Sequence, residues 1–132
     1  MNKRLFEAAK AVSKNSYAIF SKFIVSAAIE LTDGKIYTGV NIENSSYPLS
    51  MCAERTCLFK AYSEGVRKAD IKELLIYHPG DDVIPYPCGA CRQVMSDLMN
   101  HDSKVTVAND KAFEEYTVET LLPHSFTPES LN

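Results

Sequence analysis

Residues 85–99, PYPCGACRQVMSDLM, are the stretch of sequence that decides the fold. Apolar residues in it recur at the helical spacing i, i+3, i+4 and i+7, namely Cys91, Val94, Met95 and Leu98. Pro87 suits the start of a helix, so the pattern predicts an inward-facing helix over residues 88–99. Cys88 and Cys91 then lie on one face of its first turn. The helix dipole lowers thiol pKa values at that end, which favours metal binding.

A second inward-facing helix is predicted over residues 53–64, and it starts directly after Cys52. Gly65 stands where a glycine commonly ends a helix. If the two helix starts meet, three thiolates converge and leave one coordination position open, as in a catalytic rather than a structural zinc site. Glu54 lies two residues after Cys52, close enough to reach a water molecule at the metal. A C-x-x-C pair alone is equally typical of redox pairs or buried core cysteines.

The rest of the chain alternates predicted strands and helices, which indicates an α/β unit. Further predicted helical segments cover residues 2–14 and 118–122, and strands cover residues 23–31, 36–43, 73–77, 105–108 and 113–117. Asp33-Gly34 is a hairpin turn signal, so the first two strands are expected to be antiparallel neighbours. The alternation that follows predicts right-handed crossovers and a largely parallel half-sheet.

Length and composition exclude several classes of protein. A chain of 132 residues is sufficient for one domain with its own core. The net charge of −3 and the absence of a basic stripe argue against nucleic-acid binding. No apolar stretch approaches the roughly 20 residues that span a bilayer, and no signal core is visible, so we expect a cytoplasmic protein without membrane contact. In that reducing compartment cysteines are metal ligands, catalytic groups or core residues.

The combination of C-x-E at one helix start with P-C-x-x-C at another is the signature of zinc deaminases. Beyond it, the chain resembles the small, homotetrameric cytidine deaminases from its first helix almost to its C-terminus. The matching segments are residues 37–39 (YTG), 41–44 (NIEN), 52–56 (CAERT), 87–93 (PCGACRQ) and 121–123 (LLP). The resemblance implies one domain over residues 1–132, with three α-β-α layers around a central mixed five-stranded sheet. It also implies a homotetramer whose active sites are shared between subunits.

The resemblance assigns the chemistry to four residues. It implies that Cys52, Cys88 and Cys91 bind one Zn²⁺ per chain and that Glu54 is the proton shuttle. The expected reaction is hydrolytic deamination of free cytidine and 2′-deoxycytidine to uridine and 2′-deoxyuridine plus ammonia, a step of pyrimidine salvage. Glu54 then serves first as the base and later as the acid, protonating N3 of the pyrimidine and the departing amine.

One further residue is expected beside the metal ligands and four around the substrate. In the resembled family the arginine at the position of Arg55 donates hydrogen bonds to the ligand thiolates. Asn41 and Glu43, predicted to project from one strand face about 6 to 7 Å apart, correspond to residues that bind the ribose 3′-hydroxyl. Phe23 corresponds to an aromatic residue that stacks on the pyrimidine, and Ala53 is expected to contact the substrate.

Two aromatic residues are expected to act across subunit boundaries. Phe126 corresponds to a C-terminal aromatic residue that reaches a neighbouring subunit's site, and Tyr47 is expected to contribute in the same way. Cys57 is predicted to be inert packing, and the three histidines have no spacing that indicates metal binding. Ser26 departs from the family's usual glycine, and its hydroxymethyl group needs space on a buried strand.

Three alternatives remain at this point. One is a blasticidin-type or other small-molecule deaminase of the same fold, against which residues 41–44 favour a nucleoside. A deaminase of adenosine in tRNA usually has His at the position of Cys52 and needs a basic surface. A non-catalytic structural zinc protein needs a fourth protein ligand, and Cys57 is poorly placed to be one.

Overall fold

The computed structural model describes residues 1–131 of the chain. Its helices are α1 Lys3–Val12, α2 Ala53–Ser63, α3 Gly89–Leu98 and α4 Val118–Leu121. Its strands are β1 Ser26–Leu31, β2 Ile36–Val40, β3 Ile71–Tyr77, β4 Lys104–Ala108 and β5 Phe113–Thr117. Each predicted helix and strand is present, so the alternating pattern is confirmed as an α/β fold.

The first two strands are shorter than predicted, because residues 23–25 and 41–43 lie outside them. The side chain of Asn41 explains the early end. Its Oδ1 accepts the backbone N–H of Val25 at 3.1 Å, in place of a carbonyl from a strand partner. Ile42 then leaves the hairpin and forms single bridges with Tyr17 and Met51.

The five strands form one sheet in the order β2-β1-β3-β4-β5. The antiparallel pairing of β1 and β2 is confirmed. The prediction of a largely parallel half-sheet is wrong: among the described residues only β3 and β4 pair in parallel, while β1–β3 and β4–β5 are antiparallel. The crossover through α2 does connect two strands of the same direction, but β1 lies between them. Residues 109–112 are too short for a crossover, so β5 returns antiparallel.

Helices cover both faces of the sheet, which confirms the three-layer arrangement. On one face α1 packs through Leu5 and Ala9 onto apolar residues of β1 and β3. On the other face α2 and α3 cover the larger core, with Leu58 and Met95 buried against the sheet. Because α2 and α3 lie on the same face and both follow strands that run in the same direction, their N-termini meet at one edge of the sheet. None of the helices within residues 1–131 is long and apolar enough to cross a membrane.

The hydroxyl of Ser26 is accommodated without an opening in the core. Ser26 is fully buried at the start of β1, and its Oγ donates a hydrogen bond of 2.6 Å to the carbonyl oxygen of Ala9. The bond joins the sheet to the last turns of α1. A buried hydroxyl with a partner carries little cost, which explains how serine is tolerated there.

Gly39 sets the distance between β2 and α2. A Cβ atom at this position would lie 2.5 Å from the backbone nitrogen of Cys57 and 2.9 Å from the carbonyl oxygen of Ala53. Both are backbone atoms of the helix, so no side-chain rotation can relieve the contact. The glycine therefore allows the start of α2, with Cys52 and Glu54, to lie directly against the sheet.

We expect Gly39→Ala to destabilise the protein by about 3 kcal/mol, because the added methyl group forces α2 away from β2. Urea unfolding measures the change. Gly89→Ala is the matched control: a Cβ at Gly89 meets no atom within 4 Å, so its free energy of unfolding should change by less than about 1 kcal/mol. Equal stability of the two variants would contradict the assigned role of Gly39.

Candidate active site

Three cysteine sulfurs converge where α2 and α3 begin. Cys52 and Cys88 are the N-cap residues of the two helices, and Cys91 lies in the first turn of α3. The three Sγ atoms lie within 4.8 Å of one another, with 3.8 Å between those of Cys52 and Cys88. Zn–S bonds of about 2.3 Å in tetrahedral geometry place two sulfurs roughly 3.8 Å apart. Neither N-cap sulfur accepts a backbone N–H of its own helix, so both sulfurs can face a common centre.

The donor set fits a zinc ion, because a fixed cation supports the thiolate form of the ligands. Arg55 Nη2 donates to Cys52 Sγ at 3.3 Å, and Arg55 Nε is buried with no partner among the described residues. A hydrogen bond with Cys91, together with the guanidinium, lowers the pKa of the Cys52 thiol to about 5. That same bond and burial raise the pKa of Cys91. Three thiolates around Zn²⁺ carry a net charge of −1, which the guanidinium and the two helix dipoles offset.

Glu54 is a buried carboxyl in the first turn of α2, with only 4% of its surface exposed. Burial disfavours its charged form and the neighbouring Cys52 thiolate adds to the effect, so the pKa of Glu54 rises to about 7. A carboxyl that titrates near neutral pH can both accept and release a proton, as a general acid–base group must.

These groups open onto a cavity of about 290 Å³, close to the lower end of the range typical of small-molecule sites. Its walls include Phe23, Asn41, Glu43, Ala53 and Glu54, together with Cys52 and Cys88. All the residues that the sequence places at the substrate within one chain therefore share this cavity. Cys91 lies buried behind it in the thiol cluster.

Asn41 differs from its predicted position, because it lies just beyond β2 rather than on a strand face. Its Nδ2 donates to the carbonyl oxygen of Phe23 at 2.7 Å, and its Oδ1 accepts the Val25 amide. The Ser16 hydroxyl also donates to this Oδ1. Asn41 thus fastens both ends of the loop formed by residues 16–25, which carries Phe23.

Glu43 also lies beyond β2 and binds the same loop. Its Oε1 accepts the backbone N–H groups of Phe20 and Ser21 at 2.8 and 3.0 Å, and its Oε2 accepts the Ser21 hydroxyl. The Ser21 bonds lower the pKa of Glu43, with a further contribution from the Phe20 amide. The sequence did not predict that Asn41 and Glu43 bind the loop of residues 16–25, because residue spacing does not show which loop packs against them.

Two cavity features carried no signal in the sequence. His78 stacks on Phe23 with ring centroids 4.2 Å apart and planes 15° from parallel, and its Nδ1 lies 2.7 Å from the carbonyl oxygen of Ile24. The histidine therefore supports one face of the Phe23 ring. Tyr86, between two prolines, also lines the cavity. Neither residue lies in a periodic segment, so pattern analysis could not place it.

The two residues expected to act between subunits lie at the surface. Tyr47 is 72% exposed and contacts Phe20 edge-to-face, at 5.9 Å between centroids. It lines a second cavity that shares Ser21 and Glu43 with the first. Phe126 is 60% exposed and does not line the cavity of its own chain. Cys57 is buried, its Sγ donates to the Tyr37 carbonyl at 3.3 Å, and burial raises its thiol pKa to about 12.

Comparison with known proteins gives a consistent result. Residues 1–108 match the family model described as the cytidine and deoxycytidylate deaminase zinc-binding region. The chain is 45% identical over 129 residues to a cytidine deaminase of Halalkalibacterium halodurans, covering 97% of this chain and 96% of that protein. It is 43% identical over 130 residues to one of Sporosarcina psychrophila, covering 98% and 93%.

A solved structure agrees with the fold. The crystal structure of cytidine deaminase from Burkholderia pseudomallei superimposes with a TM-score of 0.90 at 38% sequence identity, covering 96% of this chain and 99% of that one. The matched family region is a zinc-binding one and includes both helix starts, so the cofactor is Zn²⁺, with one thiol cluster per chain among residues 1–131 to receive it. The chain is an enzyme that belongs to the cytidine and deoxycytidylate deaminase family.

Proposed function

We propose that this protein deaminates cytidine and 2′-deoxycytidine hydrolytically, releasing uridine or 2′-deoxyuridine and ammonia. One observation carries the proposal: the buried carboxyl of Glu54, with a pKa near 7, opens onto the same cavity as a three-thiol cluster. The names of the relatives support the same substrate.

The residues of the chain divide the chemistry between them. When bound by Cys52, Cys88 and Cys91, Zn²⁺ lowers the pKa of a water molecule and so supplies a nucleophile at neutral pH. Glu54 accepts one proton from the attacking water and delivers it to N3 of the pyrimidine as the water oxygen bonds to C4. It then takes the second proton of that oxygen and passes it to the amine, which leaves as ammonia when the C4–N bond breaks. Phe23 and Ala53 contact the base, and the stack on His78 keeps the Phe23 ring in place.

We assign the sugar to Asn41 and Glu43. Two carboxylate oxygens offer about four acceptor positions, and Glu43 uses three of them for the loop, so one remains for a ribose hydroxyl. Asn41 Nδ2 has two hydrogens and uses one for the Phe23 carbonyl. A charged acceptor at this point also disfavours a 3′-phosphate, which favours free nucleosides over nucleotides carrying one there.

Glu43→Gln is expected to raise KM for cytidine about tenfold, because hydrogen bonds to a charged group contribute about 1.5 to 3 kcal/mol. Steady-state kinetics measure KM and kcat, and kcat should fall less. Glu7→Gln, at an exposed position on α1, controls for the loss of one negative charge. A KM equal to that of the unmodified protein would count against the assignment.

Arg55→Ala is expected to keep the fold but weaken zinc retention, turnover or both, because the ligand thiolates lose their compensating cation. Metal analysis after dialysis against a chelator measures zinc retention, and initial rates of deamination measure turnover. We expect the affected quantity to fall by about tenfold or more. Lys60→Ala removes an exposed cation from the same helix and serves as the control. Unchanged zinc content together with an unchanged rate would remove Arg55 from the site.

We further propose that the working unit is a homotetramer of single-domain chains in the cytoplasm, in pyrimidine salvage. The exposed ring of Phe126 lies outside the cavity of its own chain, which supports its insertion into a neighbour's site. The exposed Tyr47 is assigned to the same interface. Sedimentation equilibrium gives the number of chains, and a monomer with full activity would contradict the shared site.

Incubation of the purified, zinc-loaded protein with cytidine, 2′-deoxycytidine, cytidine 3′-monophosphate and adenosine tests the proposed function. Released ammonia and zinc content per chain are measured together. We expect ammonia from the two cytidine nucleosides, little from the nucleotide and none from adenosine. No ammonia from either nucleoside, with stoichiometric zinc, would overturn the proposal.

A further inference from the structure

Tyr86 lines the candidate active site, but it has no role in the proposed chemistry. We infer that Tyr86 determines specificity at the base: its ring lies against the C5 edge of the pyrimidine and excludes substituents there. The inference rests on the proposed function, since it concerns the substrate of the same cavity.

The position of Tyr86 along the chain places it beside the reacting end of the cavity. It lines the cavity together with Glu54 and Cys88. Only Pro87 separates it from Cys88, so their Cα atoms are at most about 7.6 Å apart. Pro85 and Pro87 flank it, and a residue before proline is restricted to extended backbone conformations. The backbone under the ring is therefore stiff.

The far end of the side chain is also fixed. The Tyr86 hydroxyl donates its one hydrogen to the Glu114 carboxylate on β5, whose two oxygens lie 2.8 and 2.9 Å from the hydroxyl oxygen. Tyr116 donates to Glu114 as well, and its ring contacts Tyr86 at 6.5 Å between centroids. The hydrogen bond from Tyr116, and to a smaller extent the one from Tyr86, lowers the pKa of the Glu114 carboxyl. Glu114 therefore stays a charged acceptor.

The hydroxyl points away from the substrate, because Glu114 is not part of the cavity wall. The surface that Tyr86 presents to the cavity is therefore the apolar part of its ring. A side chain held at both ends cannot move aside without breaking bonds to Glu114.

The geometry of the reaction identifies the edge of the base that meets this ring. Attack occurs at C4, and the ring atoms next to C4 are N3 and C5. Glu54 delivers its proton to N3, so it occupies the N3 side of the base. We assign the C5 side to the apolar lining residues Pro85 and Tyr86, because they directly precede the Pro87-Cys88 start of α3 at the reacting end of the cavity. The C5–H group is an apolar edge of cytosine, and it matches an apolar wall.

The test compares 5-methylcytidine and 5-iodocytidine with cytidine as substrates, in the unmodified enzyme and in Tyr86→Ala. We expect the ratio of kcat/KM for each substituted nucleoside to that for cytidine to rise at least about tenfold in the variant, because a single methyl group in a pocket changes selectivity by roughly 10- to 200-fold. The larger iodo group should gain more than the methyl group. A ratio is independent of the fraction of folded enzyme.

Tyr116→Phe is the matched control. It removes the other tyrosine hydroxyl from Glu114 but leaves the cavity wall intact, so the ratio should stay within twofold of the original value. If Tyr86→Ala is inactive with every substrate, Tyr86→Leu provides the same comparison with a smaller apolar side chain. An unchanged or lowered ratio in the Tyr86 variants would overturn the inference. Failure of the unmodified enzyme to deaminate cytidine would instead overturn the proposed function.

Discussion

Glu54→Gln is expected to lower kcat for cytidine deamination by about 10³- to 10⁴-fold while zinc content and fold are retained. A positioned general acid–base group contributes about 10² to 10⁴, and Glu54 is assigned proton transfers in two successive stages. Glutamine has the same shape but can neither accept nor release the proton. The measurements are single-turnover rates and zinc content per chain. Glu119→Gln, on the exposed surface of α4, is the control and should retain full activity.

The same variant should gain stability at high pH. The pKa of Glu54 is about 7 in the folded protein and 4.5 ordinarily, because burial disfavours the carboxylate. As far as Glu54 is concerned, the free energy of unfolding is therefore highest below pH 4.5, and it falls as the pH rises through about 7. Above that pH, burial of the charged carboxylate lowers the free energy of unfolding by about 3 kcal/mol at most. The neutral amide of glutamine causes no such loss. Thermal unfolding at pH 4 and pH 8 should show a clear gain for Glu54→Gln at pH 8 and almost none at pH 4.

Two results would contradict the role of Glu54. Activity within tenfold of the unmodified enzyme would exclude it as the proton shuttle. Loss of zinc from Glu54→Gln would instead mean that this carboxyl holds the metal, and the fall in rate would then not report proton transfer.

Cys91→Ala is expected to abolish zinc binding and with it the deaminase activity, to below about one thousandth of the original rate. Cys91 is buried in the thiol cluster, and its loss leaves two sulfurs, which do not form a stable site for Zn²⁺. A ligand present at about 1,000 times its dissociation constant stabilises a fold by about 4 kcal/mol, so the variant should lose a similar amount of stability. Metal analysis and urea unfolding with and without a chelator measure the two effects.

The fourth cysteine provides the matched control. Cys57 is equally buried, but it lies outside the cluster and its sulfur bonds the Tyr37 carbonyl. Cys57→Ala should keep its zinc and activity and lose about 1 to 2 kcal/mol through the small cavity it leaves. Zinc loss from Cys57→Ala, or zinc retained at full occupancy by Cys91→Ala, would show that the ligand set is different.

The helices and strands could be predicted from the sequence, because their signals are local. Helical spacing from Cys91 to Leu98 and the hairpin turn at Asp33-Gly34 depend on residues close together along the chain. The pairing of the strands could not be read in the same way. Whether β1 or another strand lies beside β3 depends on packing between segments far apart along the chain, including α1 and α2, and the alternation of elements is the same in either case.

For the candidate site, motif spacing grouped the cysteines with Glu54, and the resemblance added the substrate contacts. The side chains of the irregular segments were beyond such reasoning. His78 behind Phe23 and the loop bonds of Glu43 join residues far apart along the chain, in segments without periodicity.

The sequence by itself determined the elements, the pair Cys88 and Cys91 at one helix start, and Cys52 with Glu54 at the other, because spacing along a helix brings the members of each pair to the same end. The meeting of these two helix starts depended on the tertiary structure. Only the tertiary structure decided the order of the sheet, the close approach of α2 at Gly39 and the fixed wall at Tyr86. Each of these depends on distances between segments that only packing of the whole chain sets.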